Sequence, residues 1–518
     1  MKVHLLFADR DADLAATPAD GADDLIADLD LEPVLEVMQP DKRLATLCTA
    51  VLLNPLADPA QVAWRQHVAA DALADPAGMR ALFALAGRAL ESQNSIWMYA
   101  GRTSDSLLSR SIHGLQALLP FLRELAGLAA QRLPLSHSEG LTQLYRRLIE
   151  ELDYTYLSQM AELVSQLEFP QGVVSRARLD ESGLLGSLEL LAPESARRPW
   201  WSKLGLFPPG AGRFTIAERD EAGAKAIGAM REHAIHDVAA TVGRANAHVV
   251  GFFRQLRWET GFYVGAIQLH ELLSQLGVPV CWPVPAAERL TLTATELSCL
   301  SLAVRSGAAP VPNDLPGPHL DLGILSGANQ GGKTTFLRSI GCAQLLLQAG
   351  LFVPARAYRS VLAPAVHTHF RRAEDDDLAS GKLEEELLRM SRIVDRCRPG
   401  DLLLMNESFA STDEVEGTYI AADILDALLE HGVRILLVTN FHLLARHYLA
   451  RPGTTFLMAE RLADGTRSHR LLPGRPSSSH GADIYHQIFG PDPAGSRHAE
   501  PNLGRQPTDP QQRERIST

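Results

Sequence analysis

Cysteine is scarce in this chain: five in 518 residues (Cys48, Cys281, Cys299, Cys342 and Cys397), with none at CxxC spacing. That pattern supports neither a zinc module nor a disulfide framework, and it leads us to expect reduced thiols in a cytoplasmic protein. Long apolar runs are absent too; none approaches the roughly 18 residues a membrane span needs, so no membrane partner is expected. The N-terminal MKVHLLF is too short for a signal peptide and runs straight into Asp9, Asp11 and Asp13. Basic charge is in short supply: 49 Lys+Arg face 61 Asp+Glu, a net of -12. A polybasic nucleic-acid tail is thereby excluded, although a local basic groove is not. The deficit is concentrated at the start, where residues 1–36 hold ten acidic side chains against Lys2 and Arg10, a net of -8. There is no internal repeat. The remainder is ordinary globular material, 46% hydrophobic and 21% charged, long enough for about two to four domains.

Residues 1–28, rich in Ala and Asp, read as an acidic irregular N-terminus. Short helices follow over 29–100, one opened by Asp58 as N-cap with Pro59 in the first turn. Longer amphipathic helices are expected at 113–133 and 138–167. In the second, Leu141, Leu144, Leu148, Leu152, Tyr156, Met160, Leu163 and Leu167 recur at three- and four-residue spacing, the mark of a face packed on another helix. Residues 172–192 carry two apolar runs about Asp180-Glu181-Ser182-Gly183, a hairpin pattern, before a Pro/Gly-punctuated loop. Helical periodicity resumes over 215–277, as one helix or two abutting ones, and Pro279, Pro283 and Pro285 close it. From about 286 strands alternate with helices: strands at 321–327, 361–370, 402–405 and 433–439, helices at 334–348, 383–396 and 417–430. That order implies a mainly parallel sheet with helices on both faces. Residues 491–518 read as a disordered polar tail.

Gly327-Ala328-Asn329-Gln330-Gly331-Gly332-Lys333-Thr334 fits GxxxxGK[ST] between an apolar strand and a helix. In such a loop, glycines turn backbone N–H groups around phosphate oxygens and the helix N-terminus adds partial positive charge. Lys333 would reach the β- and γ-phosphates, and the Thr334 hydroxyl would hold Mg²⁺. Asp401-Leu402-Leu403-Leu404-Met405-Asn406-Glu407 supplies the second half: a buried strand delivering Asn406 and Glu407 to the metal and the attacking water. Glu407 is the expected general base. Asn406, where an Asp is usual, brings no charge to a divalent cation, so weaker Mg²⁺ binding is expected.

These residues resemble the MutS mismatch-repair ATPases. GANQGGKTTFLRSIG, LFVPARAY (351–358), EDDDLASGK (374–382) and LLLMNESFASTDEVEG (402–417) follow that family's order and spacing. Asp376-Asp377-Leu378-Ala379-Ser380-Gly381 is especially specific to it. VPNDL (311–315), LLNPLADPAQVAWRQHV (52–68), RFTIAERDEAG (213–223) and GRPSSSHGADI (474–484) extend the likeness to about residues 29–490.

The resemblance implies a multidomain α + α/β protein. A helical core/lever domain (29–285) with a small β insertion, a reduced clamp near 172–200, precedes an ABC-type P-loop α/β ATPase domain (286–490). It implies ATP with Mg²⁺, nucleotide contacts that include Thr335 as well as the loop, and a homodimer in which Ser380 and Gly381 cap the partner's nucleotide. DNA is the implied partner. The likeness starts at the helical core, so a short form without the family's amino-terminal mismatch-reading and connector domains is expected, binding duplex or structured DNA without reading mismatches. Four departures, Asn406 for Asp, Leu383 for Ser, Asn440 for His and Pro310 near an adenine-packing aromatic, imply a slower or differently regulated ATPase. Two alternatives stay open: a nucleotide-switched scaffold for a protein partner, and an ATPase acting on branched or recombining DNA.

Other residues have plainer readings. His367 and His369 share a strand face and could hold a metal, but no carboxylate or cysteine stands at ligand spacing, so a sheet pair is expected. Arg371 and Arg372 read as a solvated pair, and Glu384, Glu385 and Glu386 as an acidic first helical turn. His442 could stand in for the missing His, or have no role. Arg197, Arg198, Lys203 and Arg213 form the densest local basic group, the candidate source of backbone contacts to DNA; Trp200 and Trp201 beside Arg197 and Arg198 read either as a stacking and phosphate-binding patch or as an ordinary loop cluster.

Overall fold

Asp58 does what a helix start requires: its carboxylate accepts the Ala60 amide at 2.9 Å with Pro59 next in line. The computed structural model describes residues 1–94, 103–168, 175–179, 185–190, 221–317, 319–327, 329–372, 381–462 and 466–474. The first half is helical: α1 (Ala22–Leu29), α2 (Glu32–Met38), α3 (Ala45–Leu52), α4 (Pro59–Ala74), α5 (Pro76–Asn94), α6 (Ser104–Arg132), α7 (Glu139–Glu151) and α8 (Tyr154–Gln166). An antiparallel hairpin follows, β1 (Ser175–Leu179) with β2 (Leu185–Leu190), as the sequence pattern indicates. Then comes α9 (Glu221–Gln275), a single 55-residue helix, about 80 Å long at 1.5 Å per residue.

Two expectations about this half need correction. The stripe over 138–167 is two helices. Leu152 ends α7, and the Asp153 carboxylate caps α8 through the Tyr156 amide at 2.6 Å. The break rotates the apolar face: Leu141, Leu144 and Leu148 are buried, but Tyr156 and Leu163 are exposed, and Leu157 and Val164 face inward instead. Residues 22–28 are helical rather than irregular. Upstream of them, Val3, Leu5 and Leu6 are fully buried despite the acidic surroundings.

The helix α9 organises these elements, packing along α5 and α6 and against α2, α3 and α4. At Gly265 a Cβ would lie 2.1 Å from the Met38 carbonyl oxygen, so only glycine lets the end of α2 approach this closely. Among the described residues, no helix is long and apolar enough to cross a membrane.

The second half is α/β. In chain order it comprises β3 (Val284–Pro285), β4 (Leu292–Leu297), α10 (Leu300–Ser306), β5 (Asn313–Leu315), β6 (Leu322–Ser326), α11 (Lys333–Ala349), β7 (Ala357–Ser360), β8 (Val366–Phe370), α12 (Lys382–Val394), β9 (Leu402–Asn406), α13 (Glu414–Glu430), β10 (Arg434–Val438), α14 (His442–His447), β11 (Thr454–Arg461) and β12 (Arg467–Pro473). Six strands form one sheet in the order β12-β11-β6-β10-β9-β8, all parallel except β12. Alternation sorts its side chains: Leu402 and Leu404 pack in one core with α11, Leu403 and Met405 in another with α12, α13 and α14. A second, mixed sheet, β3-β7-β4-β5, was not expected; β7 precedes the anticipated 361–370 strand, of which Val366–Phe370 is β8 in the main sheet.

His367 and His369 do not act together. Contrary to the spacing argument, folding brings Cys397 and Asp401 beside His367, with ligand atoms all within 4.8 Å. Asp401 is already committed, however: Oδ1 accepts the Ala365 amide, and Oδ2 accepts the Arg398 amide and faces His367 Nε2 at 3.0 Å. Burial pushes the Cys397 thiol up to about 12. The arrangement is a buried hydrogen-bonded anchor, which agrees with the plain sheet reading. Nor is Arg372 simply solvated, since it pairs with Asp24, and Glu386 is buried rather than part of an exposed acidic turn.

His369 is fully buried, its Nε2–H donating to the Glu386 carbonyl oxygen at 3.0 Å while Nδ1 faces Ser408 Oγ at 2.7 Å. Burial, reinforced by Arg389, lowers its pKa from 6.5 to about 4. The unfolded chain takes up this proton near the ordinary value and the folded chain only near the lowered one. His369 therefore costs stability as the pH falls through that window, by roughly 3 kcal/mol at the bottom of it. Urea unfolding at about pH 7 and about pH 4.5 should show a larger loss for the wild type than for His369→Gln; equal losses would refute the assignment.

Candidate functional site

Three neighbouring parallel strands, β6, β10 and β9, end at the same edge of the sheet, with Leu325, Val438 and Asn406 in register. Apart from Arg434 at the start of β10, their interiors are apolar on both sides, and polar groups gather where the strands stop. Gly327 leaves β6, Glu407 leaves β9 and Asn440 leaves β10, and ligands of open α/β sheets bind along this kind of edge.

The loop from Gly327 to Lys333 turns on three positive φ angles, Gly327 at 109°, Gln330 at 61° and Gly332 at 91°. Glycine is required twice over: a Cβ at Gly327 would lie 3.0 Å from the Ala459 amide nitrogen, and one at Gly332 would lie 3.1 Å from the His469 carbonyl oxygen. α11 starts at Lys333, so its unpaired amides open into the loop. Asn329, Gln330, Gly331, Gly332, Lys333, Thr334, Thr335 and Glu407 line a cavity of about 490 Å³.

Hydrogen bonds join the strand ends. Lys333 Nζ donates to Gly327 O at 2.5 Å and to Asn440 Oδ1 at 3.1 Å. Asn440 Nδ2 donates to Glu407 Oε1 at 3.0 Å, and Thr334 Oγ1 donates to Asn406 Oδ1 at 2.8 Å. Burial lowers the Lys333 pKa, with Glu407 acting in the opposite sense and Arg467 reinforcing the effect. Glu407 sits at φ 51° and nearby Phe409 at 63°, a left-handed backbone that non-glycine residues adopt at a cost. The turn is held where Glu407 N donates to Val438 O at 2.9 Å.

Of the sequence candidates, Gly327 and Asn406 border the cavity through these bonds. Gly381 is the N-cap of α12 and does not line it. Ala328 and Ser380 lie outside the described residues, as do Arg197, Arg198, Trp200, Trp201, Lys203, Arg213, the 491–518 tail and most of the 374–382 and 474–484 motifs. Leu383 packs into the second core, and Pro310 does line the cavity. Residues that sequence reasoning missed complete the other wall: Leu302, Val311, Asn313 and His469. Asn313 fastens β12 there, donating to His469 O at 3.0 Å and accepting the Leu471 amide at 2.7 Å. VPNDL marked Asn313 only as a lead-in, and nothing local marks His469, which a strand far along the chain delivers.

With this geometry in place, comparison with known proteins is informative. The MutS2 N-terminal domain family matches residues 57–276, and MutS domain V matches residues 323–494. The chain is a MutS-like family protein. Among its relatives is the DNA mismatch repair protein MutS of Thermus aquaticus, 32% identical over 194 residues, which are 35% of this chain and 24% of that protein. The endonuclease MutS2 of Geobacillus kaustophilus is 33% identical over 184 residues, 34% of this chain and 23% of that protein. The matches thus span about a quarter of the length of these curated relatives. The MutS-like chain combines helical and α/β parts, as the resemblance implied.

The loop conformation itself can be tested. Gly332→Ala places a side chain at φ 91° and close to the His469 carbonyl. It should lower stability by about 1–2 kcal/mol, measured as a fall in the urea midpoint at unchanged slope. An unaltered midpoint would show that the loop does not hold this backbone.

Proposed function

We propose that this MutS-like protein binds and hydrolyses ATP and uses the nucleotide state to move α9 on DNA. The observation that carries the reading is the hydrogen-bonded series Lys333–Asn440–Glu407, beside Thr334–Asn406, along one lip of the cavity. Lys333 and the loop amides hold the β- and γ-phosphates. Glu407 takes the proton of the attacking water. Asn440 orients the Glu407 carboxylate, the place the family gives to a histidine.

Magnesium fits the donor set, since Thr334 Oγ1, Asn406 Oδ1 and the Glu407 carboxylate are all oxygens, and two of them already lie 2.8 Å apart. When bound, the ion would offset phosphate charge. Leu302, Pro310 and Val311 supply the apolar wall for the base. Ser380 and Gly381 are assigned to a partner's nucleotide, which makes the working form a homodimer through the ATPase faces. Helical residues 29–285, ATPase residues 286–490 and a cytoplasmic location complete the reading.

A second reading rests on Asn406 and Asn440. Two neutral amides occupy positions where the family places an acid and a histidine, so the site offers less charge to a metal. A nucleotide-switched scaffold with little turnover is the outcome this favours.

Glu407→Gln and Asn440→Ala separate the two readings. Glu407→Gln should keep ATP binding and lose about 10²–10⁴-fold in turnover, with the dimer fraction rising in ATP. Asn440→Ala should lose about ten- to a hundredfold in kcat at little change in KM, because only orientation is lost. Wild-type turnover no higher than that of Glu407→Gln would leave the scaffold reading standing.

Contacts to DNA are assigned to backbone phosphates. Matched and mismatched duplexes of equal length should then compete within about tenfold, roughly 1.4 kcal/mol, and affinity should fall steeply with salt. A larger mismatch preference would mean a base-reading element, with Trp200 and Trp201 the first residues to replace.

A further inference from the structure

The acidic N-terminal stretch is tied at both ends. On α9, Glu259 is fully buried, and its carboxylate accepts the amides of Leu5 at 2.6 Å, Leu6 at 2.9 Å and Ala12 at 3.0 Å, together with Gln255 Nε2 at 2.7 Å. Arg65 of α4 donates to Leu6 O at 2.9 Å, and the Tyr263 hydroxyl donates to Leu5 O at 2.8 Å. A carboxylate removed from water needs such a set of donors, so residues 5–12 cannot leave α9 without stranding a buried charge.

At the other end α1 lies against β8, the edge strand of the described sheet. Asp28 is 5% exposed; its Oδ2 accepts the Phe370 amide at 3.3 Å and lies 3.6 Å from Arg389. Arg338 of α11 donates to Asp28 O at 2.8 Å, and Asp24 pairs with Arg372. Phe370 is opposite Asn406 in the β8–β9 register, and the next amide, Arg371, donates to Asn406 O at 2.9 Å. Asn406 in turn receives the Thr334 hydroxyl. The path from a buried carboxylate on the lever helix to the lip of the cavity thus runs through one short segment and one strand pair.

We propose that residues 1–29 form a strap by which α9 sets the position of the β8 tip, and hence of Asn406 and Glu407, with Asp28 as the positioning residue. Its consequence for turnover rests on the ATPase reading of the site; the mechanical link does not. Coupling through such a segment must be reciprocal, so a change at either end registers at the other.

Hydrogen–deuterium exchange on the full chain tests the link without relying on hydrolysis. Glu259→Gln weakens only the lever end, yet it should speed exchange of the Phe370 and Arg371 amides and of residues 402–407 by at least about threefold. The packed core of α6 and α7 should be unchanged. Asp28→Asn, read in the other direction, should speed exchange at Leu5, Leu6 and Ala12, and it decides the matter if Glu259→Gln does not fold. Changes confined to the mutated end in both variants would overturn the strap. ATP turnover adds the functional readout: Asp28→Ala should lower kcat with KM little changed, and Asp28→Asn should recover part of it. If the wild type turns over no faster than Glu407→Gln, the ATPase reading fails while the exchange result still decides the strap.

Discussion

The candidate site depends on the parallel register of β6, β10 and β9. Each strand is buried on both faces, so apart from Arg434 at the start of β10 their interiors are apolar, and the polar groups of this edge stand where the strands end. Hydrogen bonding between the three strands brings those ends to one edge. A loop of glycines, an Asn-Glu pair and an asparagine, all separate in sequence, become neighbours within hydrogen-bonding distance. A slip of one residue in β9 would turn Asn406 and Glu407 to the opposite faces and break the bonds to Thr334 and Asn440 together.

Amide side chains stand at two places around that edge. Asn406 and Asn440 each use a side-chain oxygen to accept from the phosphate-loop residues, and Asn440 also donates to Glu407. An amide can accept and donate at once, which a carboxylate cannot, so it bridges Lys333 and Glu407 without adding charge. The hydrogen bonds along the edge are thereby made without adding charge to it.

The helical half and the sheet are joined by more than their chain connection. Two of the acidic residues in the first 36 positions bind the sheet: Asp24 and Asp28 meet Arg372 and Arg389 against β8. Farther back, buried Glu259 gathers the amides of the first residues. Net charge alone would have placed these carboxylates in water. Arginines and amides that lie hundreds of positions away in the sequence hold them in place.

By itself the sequence determined the glycine-rich loop before α11, the strands expected at 321–327, 402–405 and 433–439, and the helices between them, because each is a local pattern of apolar runs, glycines and caps. It also marked Lys333, Thr334, Asn406 and Glu407, whose spacing to those strands is short. Only the tertiary structure decided the break at Leu152–Asp153, where capping overrode an unbroken heptad-like stripe, and the second sheet, whose short strands have no period of their own. It alone brought Asn313 and His469 to the cavity, Cys397 and Asp401 to His367, and the N-terminal carboxylates to β8. These are contacts between segments far apart in the chain. Local propensity does not encode them; they follow from which buried donors and charges must find a partner once the cores have formed.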